Sequence, residues 1–374
     1  MSAMNDPVLK DGTVARKLIG RIKTYLNDVS RQVRIMHVCG THEHAIAGSG
    51  LRTLLPPNLE VISGPGCPVC VCHTTDITRA IHLAEQGITV ATFGDMLRVP
   101  TPRGSLRDAR SRGHDIRTVY SITDAIDLAN GDPGKEVVFF AVGFETFAPV
   151  VASAIEAIPP SNFSFLCSLK RITPVMELLL SLGNIQLDGF ITPGHVSVII
   201  GTKPYDLFVS GYRMPIVTAG FQPNDVLLAL SMLARQIRDN EPANENEYKG
   251  IVRREGNTTA LDAIDDAFEI GTVYWRGIGA VPDGGFLVHE RYRECDAVHR
   301  YKLEQVAGSK EEKAKGIPPG CSCHLVITGQ MKPEGCPMFK NEKCHPRNPV
   351  GPCMVSEEGT CRIAHEFREA TGGS

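Results

Sequence analysis

The sequence predicts an α/β protein: two small doubly wound parallel-sheet domains, then a loop-rich, cysteine-rich C-terminal domain. Three observations predict it. Eight short apolar runs recur at regular intervals, with helix-like segments between them. A polar break, Asn130-Gly-Asp-Pro-Gly-Lys135, falls in the middle of that series. Most of the 12 cysteines lie in two groups, one near the start of the chain and one in its tail.

The runs are Val33–Val38, Leu59–Ser63, Ile88–Thr92, Ile116–Tyr120, Val137–Val142, Phe163–Ser168, Asp188–Thr192 and Pro215–Ala219. Their length and their β-branched and aromatic content favour strands. Their starts lie about 21 to 29 residues apart, the length of a strand–helix unit with short loops. Between them, stretches such as Thr74–Gln86 and Pro223–Arg238 carry apolar residues at helical spacing. Regular βα alternation predicts parallel sheets covered by helices. The series spans about 185 residues, short for a closed eight-fold barrel of 200 or more. The break at 130–135 therefore reads as a boundary between two sheets. The expected organisation is a helical segment at 1–30, α/β domains at 31–130 and 131–238, and a C-terminal region at 239–374. The stretch 239–246 reads as a polar connection. The core of the last region looks too thin to stand without a metal staple.

Hydrophobic residues make up 42%, charged residues 22%, and the net charge is −3. No basic excess points to nucleic acid or an anionic membrane. The most apolar stretch, Val137–Ile158, is interrupted by Glu145 and Glu156, which argues against a membrane span. The first residues, MSAMNDPVLKDG, lack a signal-peptide core, so a cytoplasmic chain is expected. In a reducing compartment, clustered cysteines point to metal ligands or redox thiols. No phosphate-binding, dinucleotide-binding or GxSxG motif is present. Cys167, inside an apolar run, reads as a core residue.

The first chemical constellation lies at the ends of the first three predicted strands. They run into His37-Val-Cys-Gly-Thr-His-Glu-His44, Gly64-Pro-Gly-Cys-Pro-Val-Cys70 and Phe93-Gly-Asp95. Ligands of open parallel sheets bind beyond the carboxyl ends of strands, so Cys39, Cys67, Cys70 and Asp95 are expected on one rim. Thiolates suit iron or zinc, and Cys-x-x-Cys also suits a dithiol that cycles to a disulfide. A helix starting near Thr74 would favour the thiolate form of Cys67 and Cys70. His42 and His44 suit proton transfer or ligation, or helix capping. Cys72 and His73 either extend the cluster or merely adjoin it.

The tail carries Cys321, Cys323, Cys336, Cys344, Cys353 and Cys361 among many prolines and glycines. Four cysteines can hold a 4Fe-4S cluster, leaving two as a redox pair. Tetrahedral zinc is the competing reading; sparse histidines and uneven spacing favour iron–sulfur. In the second set of strands, Glu145, Thr146 and His195 sit in glycine-rich strand-end loops. If the two α/β domains face each other, these residues line a cleft above Cys39; otherwise they are ordinary βα turns.

HVCGTHEHAI, GPGCPVC, FGDMLRVP, VGFET, PGHVS, YWRGIG and CPMFKNEKCHPRNPVGPCMVSEEGTC, in this order, resemble the HypD family of nickel–iron hydrogenase maturation factors. The likeness runs from about residue 33 to 362. It implies a cytoplasmic assembly factor of two α/β domains and a third holding a 4Fe-4S cluster. With the small chaperone HypC, such a factor holds one iron while cyanide and carbon monoxide are attached. HypE, charged by HypF, supplies the cyanide, and the Fe(CN)2CO unit passes to the hydrogenase large subunit. On this chain the resemblance implies that Cys39 is the key thiolate at the iron, with His44 beside it. Cys67 and Cys70 correspond to the dithiol that binds iron or exchanges electrons. Cys323, Cys336, Cys344 and Cys361 correspond to the cluster ligands, and Cys321 and Cys353 to an auxiliary disulfide; Glu145 and His195 are accessory candidates. The chain departs from the family pattern at Cys72-His73 and at Gln222. HypC is expected at the rim of Cys39, Cys67 and Glu145, with Phe93, Phe144 and Phe221 as anchors. The competing functions are a thiol–disulfide oxidoreductase of ferredoxin–thioredoxin-reductase type and a zinc-stabilised binding scaffold.

Overall fold

The structure, a computed structural model, describes residues 12–183, 185–306 and 316–371. Residues 1–11, which carry most of the leader reading and part of the expected 1–30 segment, lie outside it.

All eight predicted strands form: β1 Val33–His37, β2 Leu59–Ser63, β3 Thr89–Thr92, β4 Ile116–Thr118, β5 Val137–Gly143, β6 Phe163–Leu169, β7 Gly189–Pro193 and β8 Ile216–Ala219. Three more follow: β9 Asn244–Asn246, β10 Phe268–Trp275 and β11 Gly279–Val288. The helices that matter below are α1 Gly12–Leu26, α2 Gly40–Gly48, α3 Pro68–Val71, α4 Thr74–Glu85 and α5 Pro223–Asp239. The α/β class and the parallel sheets are as expected, and no described helix is long and apolar enough to cross a membrane.

The chain divides into two units, each built from separated segments. The first takes the chain up to Gly66, Leu179–Asn257 and the residues from Ile363 on. Its parallel sheet has the order β2-β1-β7-β8-β9. Ile35 pairs with Val61 on one side and with Gly189 on the other. Leu18, Ile22 and Leu26 of α1 share a buried core with Val226, Leu230 and Leu233 of α5 and with Ile35 and Val217 of the sheet. Truncating one such leucine to alanine typically costs about 2–5 kcal/mol.

The second unit takes Cys67–Leu178 and Thr258–Arg362. Its parallel sheet has the order β4-β3-β5-β6. Every residue of central β5 is buried, which explains its unbroken apolar sequence. The antiparallel hairpin β10–β11 joins this unit beside β6, where Arg171 N–H donates to the Gly284 carbonyl at 2.9 Å. The tail cysteines belong to the same unit.

The expected boundaries are thus corrected. Strands β1 and β2 pair with β7 and β8, not with β3, so the sheets do not divide at residue 130. The polar break is a turn inside the second unit. Asn162 Nδ2 pins it by donating to the carbonyls of Ala129 and Lys135 at 2.9 and 2.8 Å. The region 239–374 is not a separate domain either. Its first part supplies β9 to the first unit, which also takes the residues from Ile363 on, and Thr258–Arg362 supplies the hairpin and the cysteine loops to the second. The stretch expected as a polar connection contains β9. Its polarity suits an edge position: Asn244 Nδ2 donates to the Thr202 carbonyl and to Asp206, both at 2.8 Å.

Candidate functional site

In the first unit, β1 delivers Cys39 to the N-cap of α2, half-buried, in no disulfide and making no side-chain cap hydrogen bond. Gly66 packs backbone to backbone against it. A Cβ on Gly66 would stand 2.2 Å from the Cys39 nitrogen, and Gly40 N–H donates to the Gly66 carbonyl at 3.2 Å. Only glycine permits that approach. Behind the thiol lies a buried polar chain. His37 Nδ1 is 3.1 Å from the Cys39 carbonyl, and its Nε2 is 2.7 Å from a Glu43 carboxylate oxygen. Both ring nitrogens therefore face acceptors, an arrangement that the doubly protonated ring satisfies. Arg52 grips both Glu43 oxygens, at 3.0 and 2.7 Å. Burial pushes the Glu43 carboxyl up, but the Arg52 charge and the His37 hydrogen bond outweigh it and hold it at about 2.

The histidines separate by role. His44 is exposed and meets Phe367 edge-on, 5.2 Å between centroids. His42 is fully buried, and its Nε2 lies 2.9 Å from the Gly220 carbonyl. Its Nδ1 has no hydrogen-bond partner among the described residues. Burial, then the neighbouring His37 charge, lowers the His42 pKa to about 3. Phe221 stacks on His42 at 5.0 Å and on His195 at 3.9 Å. His195 belongs to this unit and Glu145 to the other, so the two are not walls of one α/β domain.

In the second unit, Cys67 and Cys70 are buried and joined by a disulfide. Cys67 caps α3, its sulfur accepting the Cys70 N–H at 3.1 Å. The expected helix follows as α4, opening at Thr74. His73 is its cap, with Nδ1 accepting the Thr75 N–H at 3.3 Å. Cys72 is buried against Ser168 Oγ at 3.6 Å, and Ser168 spends its own proton on Asp76 at 2.7 Å. The Cys72 S–H thus has two acceptors, the Ser168 oxygen and the His73 carbonyl at 3.9 Å. Burial pushes this thiol up to about 12. Asp95 belongs to this unit too, with a partly buried carboxyl that hydrogen-bonds Ser356 of the tail. The rim expected from three consecutive strands does not form within one sheet, because β3 lies in the second sheet.

Glu145 follows β5 and is buried. Oε1 accepts the Ile172 N–H at 2.7 Å, while Oε2 has no hydrogen-bond partner among the described residues. Burial raises its pKa to about 7. Phe144 is stacked in the core on Trp275 at 5.8 Å, which removes it as a surface anchor. Phe93 meets Phe139 and Phe147 edge-on.

Cys323, Cys336, Cys344, Cys353 and Cys361 are buried and Cys321 is half-buried; all six are free thiols. Cys321 and Cys353 are thus not bonded to each other. Both hydrogen-bond to Cys323, and these bonds lower the Cys323 pKa well below its usual value. Cys353 also contacts Cys361. Cys361 and Cys336 act electrostatically on Cys344, whose sulfur accepts the Val350 N–H at 3.3 Å. A Cβ on Gly351 would stand 2.6 Å from the Cys321 sulfur. Among the described residues, no three His, Cys, Asp or Glu side chains converge to hold a single ion. Buried thiols on turns, with an N–H aimed at sulfur, fit a four-cysteine cubane, whose ligands each take a different iron. The dithiol reaches the tail backbone: Cys70 Sγ lies 4.0 Å from the Pro352 carbonyl, next to Cys353 in the chain.

Sequence reasoning missed the His37–Glu43–Arg52 chain and Arg276. The first could be suspected from His37 at the end of an apolar strand and Glu43 in the helix that follows it. The second sits in Trp275-Arg-Gly-Ile-Gly279, a glycine-bearing turn between two β-rich runs, which is a hairpin signal.

Comparison with known proteins places this architecture. A family model described as "Hydrogenase formation hypA family" matches residues 13–368, which makes the chain a hydrogenase-formation protein by class. The chain is 42% identical over 376 residues to the hydrogenase maturation factor HypD of Rhizobium leguminosarum bv. viciae, covering 96% of this chain and 95% of that one. It is 42% identical over 369 residues to HypD of Azotobacter vinelandii, covering 96% and 95%. It is 40% identical over 372 residues to HypD of Rhodobacter capsulatus, covering 98% and 97%. The chain belongs to the HypD family of hydrogenase maturation factors.

Proposed function

We propose that this maturation factor is the scaffold on which the Fe(CN)2CO unit of nickel–iron hydrogenase is assembled, in a one-to-one complex with HypC. HypE, charged by HypF, is the cyanide donor, and the hydrogenase large subunit is the recipient. The observation that carries the reading is Cys39: a half-buried cysteine in no disulfide, at a strand end, in a backbone cradle that admits only glycine. Such a thiolate is a soft, electron-rich donor for the iron substrate. His37, clamped by Glu43 and Arg52, fixes the carbonyl of that cysteine.

Cys67 and Cys70 manage electrons. Going from disulfide to dithiol takes two electrons and two protons, and the dithiol is then free to ligate iron. Cys323, Cys336, Cys344 and Cys361 would hold a 4Fe-4S cluster. When bound, that cluster supplies one electron at a time. The contact between Cys70 and the Pro352 carbonyl supports electron delivery to the dithiol.

Infrared spectra of anaerobically purified protein with HypC test the proposal. Stretches of metal-bound cyanide and carbon monoxide are expected in the complex and are expected to vanish in Cys39→Ala. Their persistence in that variant would move the iron elsewhere. Hydrogen exchange should show residues 39–48 protected on HypC binding; protection confined to the tail would refute the expected docking face.

A further inference from the structure

Arg276, just beyond β10, is fully buried. Its Nε donates to the Gly316 carbonyl at 2.6 Å and one Nη2 proton to the Pro100 carbonyl at 2.7 Å. Its backbone N–H donates to the Val71 carbonyl at 2.9 Å, one residue beyond Cys70. Nη1 has no hydrogen-bond partner, and no carboxylate pairs with the guanidinium, among the described residues. The ionisable groups acting on it are cysteine sulfurs: Cys323, Cys72, Cys321 and Cys353.

A guanidinium does not discharge by losing its proton. Burying it among neutral carbonyls alone is unfavourable unless negative charge stands nearby. Cys72 does not supply that charge: it is a thiol whose S–H has the His73 carbonyl and the Ser168 oxygen as acceptors. The tail sulfurs remain. Four thiolates around a cubane leave a net negative charge that grows by one on reduction. Net charge and hydrogen bonds to sulfur are what set the potential of such centres.

We infer that Arg276 is the counter-cation of the thiolate-held group in the tail, a positioning residue that favours its more negative, reduced state. The inference rests on the cluster reading above. One residue then serves both thiol sets: its backbone is tied to the dithiol helix, and the next residue, Gly277, packs on the tail, where a Cβ would stand 3.1 Å from the Cα of His324, beside Cys323.

The test is an EPR-monitored redox titration, with dithionite as reductant, of the full chain with its cluster reconstituted anaerobically. It compares wild type, Arg276→Gln and Arg276→Lys. For Arg276→Gln, the reduced-to-oxidised ratio at a fixed potential is expected to fall about tenfold, which is about 59 mV for a one-electron couple. Arg276→Lys, which keeps the charge, should shift by less than half of that. A cluster that loads in Arg276→Lys but not in Arg276→Gln, with both chains folded, also supports the inference. An unchanged potential in Arg276→Gln overturns it while leaving the cluster reading intact. Loss of the cluster in both variants overturns it too, since charge would then not be what matters. Zinc in the wild-type chain removes the cluster reading, and the inference with it.

Discussion

Arg52 holds both carboxylate oxygens of Glu43, at 3.0 and 2.7 Å, inside the first unit. The clamp has a pH signature. Glu43 titrates at about 2 in the folded chain against an ordinary 4.5. A depressed carboxyl contributes stability that is complete above its unfolded pKa and is lost as pH falls through the folded one. The contribution is of the order of 3 kcal/mol. Urea midpoints measured from pH 5 to pH 2 should fall for the wild type and stay flatter for Glu43→Gln. Parallel curves would show that the clamp is not the source.

Gly66→Ala should disable the chain without touching any thiol. The added Cβ would overlap the Cys39 backbone, and overpacking of this kind costs about 1–3 kcal/mol or more. A lowered melting temperature together with lost hydrogenase maturation is the expected result. Wild-type stability and maturation would mean that the backbones need not touch.

The tail should carry about four irons and four sulfides per chain, the cubane stoichiometry. Serine at Cys323, Cys336, Cys344 or Cys361 should bleach the anaerobic protein. Serine at Cys321 or Cys353 should leave it brown; bleaching by either would redraw the ligand set, and both do contact Cys323.

Cys72 should resist alkylation. With its thiol near 12, about one molecule in ten thousand is thiolate at pH 8. After mild reduction, iodoacetamide mass spectrometry should label Cys67 and Cys70 and leave Cys72 untouched. Labelling of Cys72 at a comparable rate would make it a third working thiol.

What the sequence disclosed and what it withheld have separate physical causes. Strands β1 to β8 were legible because apolar β-branched runs at βα spacing have few other uses. The pairing of β1 with β7 was not, because periodicity records burial and not which strand is the neighbour. Cys39, Cys67 and Cys70 were legible from their strand-end motifs. That His42 turns inward against Gly220 and Phe221 while His44 stays exposed was not legible, because residues two apart on a helix face different ways and the sequence does not say which face is covered. Arg276 was illegible because nothing in a sequence says that an arginine will be buried without an acid.

The pairing of Ile35 with Gly189, 154 residues later, has a consequence during synthesis. At about 5–20 residues per second, the ribosome needs roughly 8 to 30 s to bring β7 out after β1. Through that interval β1 and β2 are apolar strands with an unpaired inner edge, while β3 to β6 emerge and can close their own sheet. The nascent chain therefore calls for holding chaperones or slow, cool expression. Overproduction without them should fill inclusion bodies with chains whose second sheet has formed and whose first has not.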